Sequence, residues 1–322
     1  MNLMRAWVLD KPGKLVLKQV ETPAPASDEV LVKIDGMCIC NGSDPGIYHG
    51  HEAYSTPMIF GHEASGHIIQ MGADVTGFSL GQRVCWWCTM GAFAEYTTVA
   101  PDKIAMFVVP PNVTREQAPV LELIIAASRA LMPLTESCAG KTLAILGLGP
   151  SGLTAVQYAK ALGFKAVYGW DLYPMRRERA LSLGANSVYD PGADDFDQQI
   201  HVMPEVDIAL DMMGDELLGQ NTFTKLLRKV RRYGTVVTYG HPEHGRTFMP
   251  FVFQSRSLTM ISPENDYEVI RKKGDVLMEF INDGRIKIEP MITGVSEFDD
   301  LGQAFEILMK QPGADIKLIF LV

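Results

Sequence analysis

A glycine-rich turn behind an apolar segment constrains the fold of this chain more than any other feature. Residues 139–151 read AGKTLAILGLGPS, and the next residue completes a Gly-x-Gly-x-x-Gly pattern. A strand that runs through such a turn into a helix presents free backbone N–H groups and the positive end of a helix dipole to a pyrophosphate. The pattern therefore predicts a dinucleotide site formed by Gly147, Gly149, Pro150, Ser151 and Gly152.

The end of the next apolar run, residues 166–170, bears on which dinucleotide is bound. Asp171 stands there, where a carboxylate accepts hydrogen bonds from the adenosine ribose and repels a 2′-phosphate. Arg176 and Arg177 act in the opposite sense, because guanidinium groups near that strand end can pair with a 2′-phosphate; their alternative role is a solvated helix start. We expect NAD, with Asp171 and Arg176 beside it.

The pattern of the chain changes near residue 123. Before it, short segments rich in valine, threonine and aromatic residues are separated by turn residues, which is typical of β structure. After it, apolar runs at 143–146, 166–170, 206–210 and 235–239 alternate with helical stretches. We predict an α/β protein with a doubly wound parallel Rossmann sheet over 125–262 and a mostly β catalytic domain over 1–124, completed by 263–322.

Composition disfavours several classes of protein. A formal net charge of −9 over 322 residues argues against a nucleic-acid or anionic-membrane partner. The basic run 228–232 precedes Gly234 and is interpreted as the cationic end of a helix. No apolar stretch approaches the roughly 18 residues that span a bilayer, and the five cysteines do not form a disulfide framework. We expect a cytoplasmic protein.

The first half of the chain carries possible metal ligands in separate segments. Cys38 and Cys40 follow an alternating stretch at 28–34, His62 stands in a Gly-His-Glu sequence, and Glu122 lies in an apolar segment. A thiolate, an imidazole and a carboxylate are sufficient to hold a catalytic zinc with one position open. Spacing alone does not show that these groups converge.

Taken together, the segments resemble the zinc-containing medium-chain alcohol and polyol dehydrogenases nearly from end to end. The resemblance covers the opening strands, the cysteine segment, Gly-His-Glu, the turn at 81–84, the glycine loop and the closing residues 315–317. It implies a GroES-like catalytic domain beside the Rossmann domain. It also implies a zinc ion on Cys40, His62 and Glu122, the last at a position where the sorbitol, threonine and glucose dehydrogenase branch carries a glutamate.

The same resemblance implies roles for four further side chains. Glu63 lies near the metal and either ligates it or exchanges with water, while Asp44 fixes the tautomer of the histidine ligand. Ser43 receives the proton of the alcohol. Lys317 matches a basic position that approaches the coenzyme pyrophosphate, the alternative being a solvated lysine on an edge strand.

The metal loop departs from the family pattern in two ways. Cys40 lies four residues before Asp44, where relatives have three, so the loop carries one extra residue. Gly46 stands where simple alcohol dehydrogenases have the histidine that passes the proton to solvent. The sequence therefore leaves undecided whether the proton leaves through His49, through His51 or through water.

The cysteine lobe of many relatives is reduced here to Cys85-Trp86-Trp87-Cys88. Two cysteines cannot complete a four-cysteine site, so we expect one catalytic zinc, no structural zinc, and two packed or loosely reactive thiols. The two tryptophans either pack in the core or form a wall for the apolar face of a sugar or cyclitol ring.

The resemblance implies hydride transfer between NAD(H) and a secondary alcohol or ketone of a polyol, sugar or cyclitol. It also implies a homodimer or homotetramer that acts on a small molecule. The net charge of −9 argues against a nucleic acid or a membrane as partner. Two alternatives stay open: a zinc-free, NADPH-dependent enone or quinone reductase of the same superfamily, and a non-catalytic NAD-binding protein.

Overall fold

The computed structural model describes residues 2–51, 54–214, 221–242, 245–311 and 315–322. The chain divides into two compact units. The first unit comprises Met1–Ala126, Asp266–Gly284 and Ile288–Val322, and the second comprises Ala127–Asn265 and Arg285–Lys287. The predicted domain boundaries lie after residues 124 and 262.

Strands and helices are numbered along the chain. The strands are β1 Leu3–Lys11, β2 Lys14–Glu21, β3 Val30–Cys38, β4 Met58–Ile59, β5 Glu63–Met71, β6 Arg83–Trp87, β7 Tyr96–Val99, β8 Ala105–Val108, β9 Thr142–Leu146, β10 Ala166–Trp170, β11 Ser187–Tyr189, β12 Val206–Asp211, β13 Val230–Thr238, β14 Thr259–Ile261, β15 Ile292–Glu297 and β16 Lys317–Leu321. The helices are α1 Asp44–His49, α2 Leu121–Ser128, α3 Pro150–Ala161, α4 Pro174–Ser182, α5 Phe196–Val202, α6 Thr222–Lys229, α7 Pro250–Arg256, α8 Tyr267–Asn282 and α9 Leu301–Lys310. Among the described helices, none combines the length and apolar character needed to cross a bilayer.

The second unit is built on the parallel sheet that the apolar runs predict. Its described strands follow the order β11-β10-β9-β12-β13-β14, and every neighbouring pair is parallel. This is the order of a doubly wound dinucleotide-binding sheet, in which the direction of winding reverses between β9 and β12. Four of the five residues of β9 are buried, as expected for a strand with both faces covered.

The basic run 228–232 does not lie wholly at a helix end. Helix α6 ends at Lys229, and Arg231 and Arg232 already belong to β13. The helical interpretation is therefore wrong for these two arginines. The Nε atom of Arg231 lies 2.6 Å from Oδ1 of Asp207, so the strand position is stabilised by an ion pair.

The first unit contains an antiparallel sheet, β2-β1-β4, and a mixed sheet in the order β15-β16-β3-β5-β6-β8, with β7 also pairing with β3. Strand β3 lies between β16 and β5. Its last residue, Cys38, is opposite Glu63 of β5 on one side and Ile319 of β16 on the other. The register thus brings the C-terminal strand of the chain beside the cysteine segment.

Candidate metal centre and coenzyme loop

Two chain segments of the first unit supply the residues of the candidate metal centre. Cys40 and Ser43 lie in the turn after β3, and Asp44 begins α1. His62 directly precedes β5, which begins at Glu63. Because the end of β3 is paired with the start of β5, these two segments leave the sheet at the same place.

Ligand atoms from Cys40, His62 and Glu63 converge at this place and all lie within 4.8 Å of one another. A thiol, an imidazole and a carboxylate are a donor set typical of zinc. Oε1 of Glu63 is buried and has no hydrogen-bond partner among the described residues. Since a cation beside this oxygen would remove the cost of burying it unsatisfied, the arrangement fits a zinc ion.

Asp44 contacts two of the predicted ligands, Cys40 and His62. Its Oδ2 accepts the backbone N–H of Cys40 at 2.9 Å, and its Oδ1 lies 3.3 Å from Nδ1 of His62. Burial disfavours the imidazolium, but Asp44 and Cys40 outweigh that effect and raise the pKa of His62 well above its ordinary value. A metal bound at the other ring nitrogen would take the place of a proton, with Asp44 holding the ring orientation.

Ser43 lies against the same ligands. Its hydroxyl donates to Sγ of Cys40 at 3.2 Å, and its Oγ is 3.5 Å from Nε2 of His62. A substrate oxygen bound beside these ligand atoms would therefore be within reach of a group that can accept its proton.

The second oxygen of Glu63 is held by two donors. The Cys38 thiol lies 2.9 Å from Oε2, and Nζ of Lys317 donates to the same oxygen at 2.5 Å and to the Ile39 carbonyl at 2.8 Å. Burial opposes the charged carboxylate, but Lys317, together with His62 and the Cys38 thiol, outweighs burial and lowers the pKa of Glu63. Burial raises the pKa of the Cys38 thiol well above its ordinary value, so this group is present as a hydrogen-bond donor.

Lys317 is only 1% exposed, and β16 pairs with a strand on each side. The alternative of a solvated lysine on an edge strand is therefore wrong. The role at the coenzyme pyrophosphate stays a prediction. Sequence reasoning assigned neither Lys317 nor Cys38 to Glu63, since 254 and 25 residues separate the partners.

Glu122 lies at the start of α2, buried, and accepts a hydrogen bond from the backbone N–H of Cys88. Burial raises its pKa to about 8, against the opposing effect of His62. Among the described residues it is not one of the three whose ligand atoms converge, which are Cys40, His62 and Glu63. The geometry favours Glu63 as the third ligand, and ligation by Glu122 stays a prediction.

The segment Cys85-Trp86-Trp87-Cys88 covers the end of β6 and the residue after it. Cys85 is buried, and burial raises the pKa of its thiol; Cys88 is exposed, with a positive φ of 66°. Trp86 belongs to the core of the first unit. The ring of Trp87 lies 5.4 Å from that of Tyr267. Core packing is thus the role of Trp86, and Trp87 is also buried and packs against Tyr267.

The glycine loop has the geometry that its pattern predicts. Gly147 has a φ of +90°, and a Cβ at this residue would meet the backbone of Met213 at 3.0 Å. A Cβ at Gly152 would lie 1.9 Å from the carbonyl oxygen of Gly147, so no side chain fits there. Helix α3 begins directly at Pro150, with its N-terminus at the loop.

Asp171 ties the end of β10 to this loop. Its Oδ2 accepts the backbone N–H of Leu148 at 2.7 Å, and its Oδ1 accepts that of Tyr173 at 2.8 Å. Nη1 of Arg176 lies 3.9 Å from Oδ2 of Asp171, and the guanidinium packs over the Tyr173 ring. Both predicted ribose-site residues are therefore adjacent to the glycine loop.

Fold and site together define a protein with a doubly wound nucleotide-binding unit and a sheet-rich unit that carries a candidate zinc centre. Two family descriptions match: "Alcohol dehydrogenase GroES-like domain" over residues 26–110 and "Zinc-binding dehydrogenase" over residues 150–272. The chain belongs to the zinc-containing medium-chain dehydrogenase superfamily.

Individual relatives match over almost the whole chain. The chain is 28% identical to L-galactonate-5-dehydrogenase of Escherichia coli K12, with 95% of both chains covered. It is 27% identical to sorbitol dehydrogenase of Bacillus subtilis, with 94% of this chain and 93% of the relative covered. A solved zinc-binding dehydrogenase from Sinorhizobium meliloti, bound to NADP, shares the fold at a TM-score of 0.85, 24% identity and full coverage of both chains.

Proposed function

We propose that this protein is a zinc-dependent dehydrogenase that transfers hydride between NAD(H) and the secondary hydroxyl of a polyol, sugar or cyclitol. The observation that carries the proposal is the convergence of ligand atoms from Cys40, His62 and Glu63 within 4.8 Å. The curated relatives that act on L-galactonate and sorbitol support the substrate class. The Rossmann-type order of the second sheet supports the dinucleotide.

Cys40 and His62 would hold the zinc ion with Glu63, and Glu122 is the further predicted ligand. When bound, zinc supplies a Lewis acid that lowers the pKa of a substrate hydroxyl. Asp44 orients His62 and the backbone of Cys40, so the ligand geometry is set before substrate arrives. In a zinc-free reductase, the alternative function, this converging set of donors would have no role. Measurement of the bound metal distinguishes the zinc-dependent dehydrogenase from that alternative.

Ser43 is the proposed acceptor of the substrate proton, because its hydroxyl lies against both Cys40 and His62. No histidine follows at position 46. A Cβ at Gly46 would meet no atom within 4 Å, so this position offers open space for water. We propose that water carries the proton away there, with the neighbouring His49 and His51 rings 5.6 Å apart at the end of α1.

Steady-state rates of NADH formation by zinc-loaded protein test the proposal. The panel is sorbitol, myo-inositol, glucose, threonine, ethanol and butanol. We expect the highest kcat/KM on a polyol, sugar or cyclitol with a secondary hydroxyl. Highest efficiency on ethanol or butanol would refute the substrate class, and turnover that persists after complete removal of metal would refute the zinc mechanism.

Asp171→Ala is expected to shift the coenzyme preference toward NADP. The substitution removes a carboxylate that repels a 2′-phosphate and releases Arg176 to attract one. We expect the ratio of kcat/KM for NAD over NADP to fall by about tenfold, which corresponds to about 1.4 kcal/mol. The S. meliloti relative was solved with NADP, so the wild-type ratio is the first quantity to measure.

Asp190→Asn provides the matched control for this variant. Asp190 also faces an arginine of α4, with its Oδ2 3.0 Å from Nη2 of Arg177, but the glycine loop does not depend on it for a hydrogen bond. The control should leave the coenzyme ratio unchanged. A wild-type protein more efficient with NADP than with NAD would contradict the role given to Asp171.

We further propose a homo-oligomer, dimer or tetramer, in the reducing cytoplasm. Five cysteines in 322 residues, in a pattern that does not form a disulfide framework, support a reducing compartment. Strand β14 ends the described sheet of the second unit, and its Met260 is 42% exposed. An exposed apolar edge of this kind supports association between copies.

A further inference from the structure

The buried thiol of Cys38 contacts the metal centre without belonging to it. Cys38 and Glu63 are directly opposite each other on β3 and β5, so their side chains lie on the same face of the sheet. Sγ of Cys38 is 2.9 Å from Oε2 of Glu63, and both side chains are buried. Sγ of Cys40, by contrast, belongs to the converging group of ligand atoms.

The two oxygens of Glu63 have different surroundings. Oε2 receives hydrogen bonds from Cys38 and from Lys317, which reaches it from β16 on the far side of β3. Oε1 is buried without a hydrogen-bond partner in the described part of the chain. One oxygen is thus held by the protein, and the other is left for a ligand.

Lys317 is not the only donor that selects Oε2. Its ammonium group also donates to the Ile39 carbonyl at 2.8 Å, so its hydrogens are shared between two acceptors. The thiol of Cys38 has a single hydrogen, and its sulfur lies closer to Oε2, at 2.9 Å, than to the Pro119 carbonyl oxygen, at 3.5 Å. The thiol is therefore a second donor to Oε2 and increases the difference between the two oxygens.

We propose that Cys38 is a positioning residue of the metal centre: its thiol holds Oε2 of Glu63 and so presents Oε1 to the metal. This inference rests on the proposed zinc-dependent function and adds a residue that does not itself ligate. Partners that orient metal ligands in this way typically change metal affinity by about 10–100-fold when removed. Cys38 is expected to act on zinc affinity more than on folding.

Cys38→Ala and Cys38→Ser form the test pair, because the two side chains are close in size and only serine retains a donor. Zinc dissociation constants are measured on the full-length apoprotein by competition with a chromophoric chelator. We expect Cys38→Ala to bind zinc at least about tenfold more weakly than wild type, and Cys38→Ser to recover most of that loss. Cys138→Ala, at a buried cysteine of the second unit, controls for the general effect of losing a buried thiol.

Cobalt substitution distinguishes positioning from ligation. With Co²⁺ as the probe, the thiolate-to-metal absorption band should keep its intensity in Cys38→Ala, because Cys40 supplies the sulfur. Loss of that band would overturn the proposal by making Cys38 a ligand. Unchanged zinc affinity in Cys38→Ala would overturn it as well. So would equal weakening in the alanine and serine variants, since a packing role does not need the donor.

The wild-type protein separates failure of this inference from failure of the proposed function. Wild type that binds no zinc at micromolar concentrations would refute the zinc-dependent function and the role of Cys38 together. Wild type that binds zinc tightly, with Cys38→Ala equally tight, would refute only the positioning role. Thermal midpoints and NADH binding of each variant verify that it is folded.

Discussion

Cys40→Ser should abolish turnover and release the bound zinc while leaving NADH binding intact. Serine does not ionise as a thiol does near a metal, so the substitution removes one of the three converging ligands. Loss of the metal removes several kcal/mol of charge stabilisation from the reaction, which corresponds to a fall in kcat/KM of about a thousandfold or more. Elemental analysis should give one zinc per wild-type chain and none for the variant.

NADH binding, measured by fluorescence, is the internal control for Cys40→Ser. Cys40 lies in the first unit and the glycine loop in the second, so the dinucleotide affinity should change little. Cys38→Ser is the neighbouring comparison and should keep most of the activity, because serine retains a hydrogen-bond donor beside Glu63. An inactive Cys38→Ser beside an active Cys40→Ser would show that the ligand register is wrong. Two tightly held zinc ions per wild-type chain would contradict the expectation that the cysteine lobe binds none.

Lys317→Met should destabilise the zinc-free protein by about 3–5 kcal/mol at pH 7.5, because it leaves the buried Glu63 carboxylate without its counter-charge. The free energy of unfolding, measured with urea, reports this loss. Zinc-loaded protein should lose less, since a cation beside Oε1 replaces part of the missing charge. Comparing this loss between zinc-free and zinc-loaded protein therefore measures the electrostatic interaction between Lys317 and the metal centre.

The effect should depend on pH in a defined direction. In the wild type, burial raises the pKa of Glu63, but Lys317, His62 and Cys38 together outweigh burial and lower it, so this carboxylate stabilises the fold above its unfolded pKa of about 4.3. That contribution is lost as the pH falls through the lower folded pKa. Lys317→Met removes the largest of the interactions that oppose burial, so the pKa of Glu63 is higher in the variant than in the wild type. The difference in the free energy of unfolding between variant and wild type should thus be largest near neutral pH and become smaller toward pH 4.

Lys103→Met is the matched surface control. Nζ of Lys103 lies 2.7 Å from Oδ2 of Asp28, but the lysine side chain is 71% exposed. Water screens exposed pairs of this kind, so they contribute little to the free energy of unfolding. If Lys317→Met lowers the free energy of unfolding no more than Lys103→Met does, the buried pair does not stabilise the fold as argued.

The strands of the second unit were predictable because parallel strands buried on both faces are continuous apolar runs. The run at 166–170 coincides with β10, and that at 143–146 lacks only the first residue of β9. Strand β13 was predicted to begin at 235 but begins at Val230. Because Arg231 and Arg232 are charged, the first residues of this strand do not form an apolar run. Hydrophobicity alone therefore does not locate the start of the strand.

By itself, the sequence determined the fold class, the glycine loop and the two short segments that carry Cys40 and His62, since each rests on residues close together in the chain. Only the tertiary structure decided that Glu63 completes the converging group and that Cys38 and Lys317 hold its second oxygen. The physical reason is the register of β16, β3 and β5. Pairing between strands whose contacting residues are 25 and 254 positions apart in the chain determines which side chains share a face, and local patterns carry no information about it.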